Sequence, residues 1–468
     1  MQAEPSGRLN LLIERARLAA SLIGGQPAGE IVKVVSHIDA DGISSAALLA
    51  WLLLRLGLGF HISFVKKLTP EYVKSLLSED YRLYLFSDLG SGYREELGPL
   101  AERSPLILVD HHEPLGGISG RMVDLNPHEV GVDGGREVSA AGVALALYSA
   151  ILRDEHPPLH LALVGAIGDV QARDGFTGVN SEILSYAERI GLVKSRVELR
   201  LFGGPEYPLL LSLERTVDPP IPGVSGSSSG ALELLQSLGI PPRVDDKWTT
   251  LSDLDDEERS ALLSEIVKRL AIFGHKVSPQ QLLGTSFTLL TEPPGSPLRD
   301  LGTFATVLNA CGRMGRPDLG LMLGLGRRGR IMEMVNETIS QYRRELARFL
   351  ESSRDLQRVV GSVLFVDGRG SLRDTLTSPV ASILARSRPD EDVRVVAVMT
   401  EDSEAEGCVK VSLRLTQAGI SEGVDLAKIA VQASVELGGV GGGHSSAAGL
   451  TLPAERWEEF VKILSASV

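Results

Sequence analysis

The stretch Ile31-Val-Lys-Val-Val-Ser-His37-Ile-Asp39-Ala-Asp41-Gly42 joins a β-branched apolar run to a cluster of acids closed by glycine. Two further apolar runs end alike: residues 82–86 lead into Ser87-Asp88-Leu89-Gly90, and residues 106–109 into Asp110-His111-His112. Short, mostly apolar runs separated by helical patterning predict an α/β fold, with a parallel sheet carrying helices on both faces. In such a sheet the carboxyl ends of the strands line one crevice, so loops far apart in sequence converge there. Asp169, closing Gly165-Ala-Ile-Gly-Asp169 behind an apolar helix, is a fourth candidate for the same crevice.

Taken singly, each motif has a plain structural reading. Asp39 and Asp41 beside Gly42 suit a turn, Asp88 and Asp169 suit helix caps, and His111 and His112 suit interior histidines with satisfied hydrogen bonds. Their joint placement at one sheet edge is what favours a site. Several carboxylates in one crevice raise one another's pKa unless cations neutralise them. Mixed carboxylate and imidazole ligands suit Mn²⁺ better than Ca²⁺, and the donors exceed the needs of one ion. A two-metal centre is therefore expected, of the kind that activates water and clamps the oxygens of a phosphoryl group.

Working outward, residues 8–23 carry helical apolar spacing and predict a covering helix, and residues 139–152 and 159–168 predict two buried helices. The first domain is expected to span 1–215. Around 217–230 the composition turns to Pro, Gly and Ser, from Asp218-Pro-Pro-Ile-Pro-Gly to Gly226-Ser-Ser-Ser-Gly230, as in a linker. A largely helical middle region, 216–350, follows; it holds a helix over 257–272 with Ser252 and Asp255 as its start signal. A long charged helix is expected over 333–357, then a smaller α/β domain over 351–468 with strands at 359–366, 393–399 and 408–415, and a cleft between the domains.

The 468 residues hold 47 Lys+Arg against 60 Asp+Glu, a formal charge of −13, with 43% hydrophobic content, which argues for packed cores and against disorder. Cys311 and Cys408 stand far apart, so neither a disulfide framework nor a thiolate zinc site is expected. The apolar run 46–54 stops at Arg55, too short for a membrane span, and the N-terminus lacks a secretory h-region, so a cytoplasmic protein without a membrane partner is expected. Residues 301–350 hold eight Arg against four acids, a local excess of four positive charges that suits phosphate or an internally paired helix face. Gly438-Gly-Val-Gly441-Gly442-Gly443-His444-Ser-Ser-Ala-Ala-Gly449 suits a backbone anion nest at a helix start, with His444 as a phosphate contact, or else a tight packing turn.

In this order the motifs H-x-D-x-D-G, S-D-L-G, D-H-H, G-D, N-A-C-G-R and G-G-G-H-S-S-A-A-G resemble those of the DHH/DHHA1-family phosphoesterases, and within them the archaeal RecJ-like or GINS-associated nucleases. The resemblance covers nearly the whole chain. It implies a DHH domain followed by a DHHA1 domain, with Asp39, Asp41, Asp88, His111 and Asp169 as ligands of two Mn²⁺ ions, or of Mg²⁺ in their place, and Asp88 as the bridge. His37 stands where bacterial relatives carry an acid, so its place among the ligands is less secure. The resemblance further implies His112 at the scissile phosphate, Asp110 orienting a histidine, and Asn309, Arg313, Gly441, Gly442, Gly443 and His444 on the substrate strand. Asn126-Pro127 and Ser139-Ala-Ala-Gly142 match family positions that shape the site or touch phosphate. The expected activity is exonucleolytic release of mononucleotides from single-stranded DNA, or also RNA, in replication or repair. Hydrolysis of short oligonucleotides and docking to the GINS complex and the replicative helicase are the alternatives.

Overall fold

The computed structural model describes residues 7–152, 157–173, 175–217, 219–272, 279–387 and 392–468. Asp218, at the head of the Pro-rich stretch, and residues 273–278 of the middle region lie outside them. The chain divides into two compact units: Met1–Ser212, Asp245–Asp253 and Leu283–Ile339 make the first, and Leu213–Val244, Leu254–Leu282 and Ser340–Val468 the second.

The first unit begins with α1 (Arg8–Gly24), β1 (Ile31–His37), α2 (Ala40–Arg55), β2 (Gly59–Val65), α3 (Pro70–Leu76) and β3 (Tyr84–Ser87). It continues with α4 (Arg94–Arg103), β4 (Leu106–Val109), β5 (Met122–Asp124), α5 (Ala140–Ile151), α6 (Leu159–Gly168), α7 (Gly178–Arg189) and β6 (Val193–Leu199). Five strands form a parallel sheet in the order β2-β1-β3-β4-β5. The order reverses between β1 and β3, which opens a crevice at their carboxyl ends. Register fixes the level of that edge: Ser36 pairs with Ser87 and Ser87 with Val109, so the residues that follow leave three strands side by side.

Helix α2 is apolar around most of its circumference because it is enclosed: Leu48, Leu49, Leu52 and Leu53 are all fully buried, and it packs on α5 and α6. Helix α1 covers α5 as its spacing predicts. Lys33, on the inner strand β1, is buried with its Nζ 2.9 Å from Glu79 Oε2. Strands β2 and β5 were not among the expected ones. Strand β6 pairs antiparallel with Leu283–Leu289, and the helices Leu301–Arg313 and Pro317–Gly324 pack on α2 within the first unit, so the stretch 216–350 is shared between the two units.

In the second unit the Gly226–Gly230 segment is not all linker. Ser227 caps the helix Ser228–Ser237, its side chain accepting from Gly230 N at 3.0 Å. The start signal of Asp256–Ile272 also shifts: Asp255 Oδ1 accepts from Glu258 N at 2.8 Å while Glu258 Oε2 accepts from Asp255 N at 3.0 Å, a reciprocal capping pair in which Ser252 has no part. A six-stranded mixed sheet follows, in the order Gln357–Val360, Val363–Asp367, Val395–Glu401, Cys408–Leu415, Ala447–Pro453, Val440–His444. The expected single strand 359–366 is a hairpin, turned at Gly361 with φ 58°. The helices Leu426–Leu437 and Trp457–Ser467 contribute to the apolar core of this sheet. The expected helix start at the glycine run is overturned: Val440–His444 is an edge strand paired antiparallel with Ala447–Pro453. Glycines hide the side-chain period that separates a strand from a helix cap.

Candidate metal centre

Asp39 caps α2 from the loop after β1, one carboxylate oxygen accepting from Gly42 N at 3.0 Å. Asp41, one residue into α2, is fully buried. Its two oxygens accept from Ala140 N at 2.7 Å and Ala141 N at 2.9 Å, at the N-terminus of α5, where unpaired N–H groups and the helix dipole favour an anion. The Ala140 and Ala141 amides of Ser139-Ala-Ala-Gly142 are thus bound to an aspartate of the chain. Gly165 faces the same carboxylate: a Cβ there would collide with Asp41 Oδ1 and stand 2.6 Å from Ala141 Cβ.

Asp88 follows β3 with φ 59°, a left-handed backbone that a non-glycine residue adopts at a cost, often at functional sites. It is 3% exposed, and among the described residues neither carboxylate oxygen has a hydrogen-bond partner. Oδ2 stands 3.3 Å from His37 Nδ1, which is 3.0 Å from Asp39 Oδ2, while Oδ1 stands 3.4 Å from His111 Nε2. That same Nε2, also buried without a hydrogen-bond partner, is 3.0 Å from Asp169 Oδ2 and 3.7 Å from Asp41 Oδ2. Two donor groups result, His37-Asp39-Asp88 and Asp41-His111-Asp169, with a third that links Asp88 and His111 to Asp110 and His112.

The electrostatics are those of a site prepared for cations. Burial and then the neighbouring carboxylates Asp169 and Asp88 push the Asp41 carboxyl well above its usual range, and burial followed by Asp39 raises Asp88. Burial alone would lower His37 and His111, but Asp39 holds the first and Asp169 the second well above the ordinary imidazole value. Protons thus occupy the cluster where positive charge is needed. A buried carboxylate with two orphaned oxygens and an orphaned imidazole nitrogen fit divalent cations.

His112, at the mouth, has a half-exposed ring; its Nδ1 is 2.7 Å from Asp110 Oδ1. Against the opposing effect of burial, Asp110 lifts the His112 pKa to about 9, and His112 in turn holds the Asp110 carboxyl low. Asp110 also accepts from Ser91 N at 2.8 Å and His111 N at 2.8 Å, so it braces both histidines of the motif. Behind it Asp124 accepts from Arg94 Nε at 2.8 Å and Ser91 Oγ at 3.0 Å. Asn126 Nδ2 donates to His112 O at 2.7 Å, a shaping contact.

Asn309 and Arg313 lie in the first unit, on the helix Leu301–Arg313. Asn309 Oδ1 accepts from Ala40 N at 3.1 Å, and a Cβ on Gly312 would collide with Ile38 O, so N-A-C-G-R packs against the loop that carries Asp39. Part of the basic stripe is consumed internally: Arg316 Nη2 is 2.9 Å from Asp318 Oδ2, and Arg328 is bound to Glu292. Gly441, Gly442, Gly443 and His444 lie in the second unit. Sequence reasoning missed that the Ala140 and Ala141 amides hold Asp41, because backbone donors leave no mark in residue types.

Residues 201–281 match the DHH-CID domain and residues 363–468 the DHHA1 domain. With the motifs above, the chain carries the two kinds of domain that mark DHH/DHHA1-type hydrolases. Within that class it is RecJ-like in fold. RecJ from Thermus thermophilus in complex with Mn²⁺ superposes with a TM-score of 0.56 at 19% identity over 97% of this chain, which spans only 54% of that larger protein. CDC45 from Entamoeba histolytica superposes with a TM-score of 0.57 at 13% identity, covering 98% of this chain and 97% of that one. An uncharacterised protein of Methanocaldococcus jannaschii is 27% identical over 438 residues, 92% of this chain and 91% of its own. No helix of the described residues is long and apolar enough to cross a membrane.

Proposed function

We propose that the chain is a metal-dependent exonuclease that releases mononucleotides from single-stranded DNA or RNA. The observation that carries this reading is Asp88: a buried carboxylate, both oxygens lacking a hydrogen-bond partner among the described residues, set between two imidazoles. Such a group is costly unless cations complete it. His37, Asp39 and Asp88 would hold one divalent ion, and Asp41, His111 and Asp169 a second that shares Asp88, with Mn²⁺ or Mg²⁺ as the ions. When bound, the pair supplies an activated water and neutralises charge on the phosphoryl group.

The protein's own groups do the rest. His112, kept protonated by Asp110, offers a charge-assisted donor at the mouth for a phosphate oxygen. Asn309, Arg313, the Gly441–Gly443 backbone and His444 would contact the strand. End-labelled single-stranded DNA and RNA, incubated with Mn²⁺, Mg²⁺ or EDTA, test this with wild type against Asp88→Ala. Metal-dependent release of labelled mononucleotide, lost by at least about a hundredfold in the variant, is expected. Unchanged hydrolysis by Asp88→Ala would sink the reading. Absence of release from every substrate would shift the weight to a partner role beside the GINS complex and the replicative helicase, consistent with the CDC45-like fold.

A further inference from the structure

Val170, directly after Asp169, has φ 63° although it is β-branched and two-thirds exposed, so neither glycine's freedom nor burial of its own side chain explains the turn. What the turn does is carry the next residue inward. Gln171 is buried, and its Nε2 donates to Gly134 O at 3.0 Å and Val138 O at 3.2 Å, while its Oε1 accepts from the fully buried Asn180 Nδ2 at 2.7 Å. Both carbonyls can only accept, which fixes the orientation of the Gln171 amide. The Gly134 carbonyl is also the partner of His111 Nδ1, at 2.7 Å.

We propose that Gln171 is a positioning residue for the metal centre: by fixing the Gly134 carbonyl it keeps His111 in the Nδ1–H tautomer, with the Nε2 lone pair turned toward Asp169, Asp88 and Asp41. This rests on the metal reading given above. A carbonyl can only accept, so Nδ1 must carry the hydrogen and Nε2 is left to ligate. The N–H of the same 134–135 peptide donates to Asp133 Oδ1 at 2.8 Å, so Gln171 holds the carbonyl end, and without it the Gly134 carbonyl can tilt away from Nδ1 and release its hold on the tautomer. Partners of this kind, one bond behind the ligand, alter metal affinity by about 10–100-fold. The clamp also ties the Asp169 loop to the loop behind His111, so two ligands from different segments are set by one amide.

The test is Mn²⁺ titration of the full chain followed by electron paramagnetic resonance of the free ion, beside the melting temperature of the metal-free protein. In Gln171→Met the Asp41-His111-Asp169 site is expected to weaken by about 10–100-fold while the second Mn²⁺ binds as in wild type. Nitrogen modulation from a directly bound imidazole should fall in the same variant. Gln171→Glu keeps the volume and loses the paired N–H donors, so it serves if Gln171→Met does not fold, with the same loss expected. Unaltered affinity at both sites, or an equal loss at both that tracks a lower melting temperature, would overturn the proposal. Wild type that binds no Mn²⁺ would instead overturn the metal reading itself.

Discussion

At the scale of single residues the site is a competition between protons and metal ions. His37 and His111 hold protons more tightly than ordinary imidazoles because, against the effect of burial, carboxylates face them, and Asp41 and Asp88 hold protons more tightly than ordinary carboxylates because burial and neighbouring carboxylates disfavour their charge. Ligation requires those protons to leave. Raising the pH removes them and lowering it restores them, so Mn²⁺ affinity should rise from about pH 6 to 8 and fall on acidification. Calorimetric titrations in buffers of different ionisation heat should show more than one proton released per chain on saturation. Metal binding without proton release would contradict this account of the cluster.

At the scale of elements, the helix Leu301–Arg313 matters through its fit against the loop after β1. Gly312 lies where a Cβ would meet the Ile38 carbonyl, and Asn309 accepts from Ala40 N beside it. Gly312→Ala should cost about 1–3 kcal/mol in denaturant unfolding, as overpacking does, and should weaken Mn²⁺ binding by moving Asp39. Unchanged stability together with unchanged affinity would show that the contact is slack. The same scale explains what could be read from sequence. Strands β1, β3 and β4 were legible because they are buried on both faces and therefore mostly apolar. Strand β2 sits at the sheet edge, half-exposed and carrying His61, so its pattern is diluted. The hairpin about Gly361 reads as one run since Val359 and Val360 of its first arm and Val363–Val366 of its second are all apolar, and the Gly441–Gly443 strand has no side chains to show a period. The acids and histidines of the site were visible as residue types, whereas Gln171 looks like any polar residue until its partners are known.

At the scale of the whole molecule, the candidate ligands all lie in the first unit and the glycine-rich edge strand in the second. Hydrogen exchange with and without Mn²⁺ should therefore show added protection in the segments around Asp39, Asp88, His111 and Asp169. The sheet from Gln357 to Pro453 should be unaffected by metal alone. Ligand bound only to the native state stabilises in proportion to its saturation, by about 2.7 kcal/mol at a hundredfold excess over Kd, which makes the protection large enough to read. Equal protection throughout would place the ions elsewhere. The excess of four positive charges in 301–350 against a total of −13 also accounts for how an acidic chain could approach a polyanion, although Arg316 and Arg328 are committed to Asp318 and Glu292.

The parallel sheet brings together donors that the ribosome releases far apart in time. At a synthesis rate of about 5–20 residues per second, Asp169 emerges roughly 7–26 s after His37, and the helix that braces Ala40 later still. A nascent chain thus presents isolated aspartates with no pocket, and the pocket closes only when α5 and α6 dock on α2. The ion is then chosen by a finished cavity from whatever the surroundings supply, and a cell could set the metal of this protein by where, and in what ionic company, translation ends.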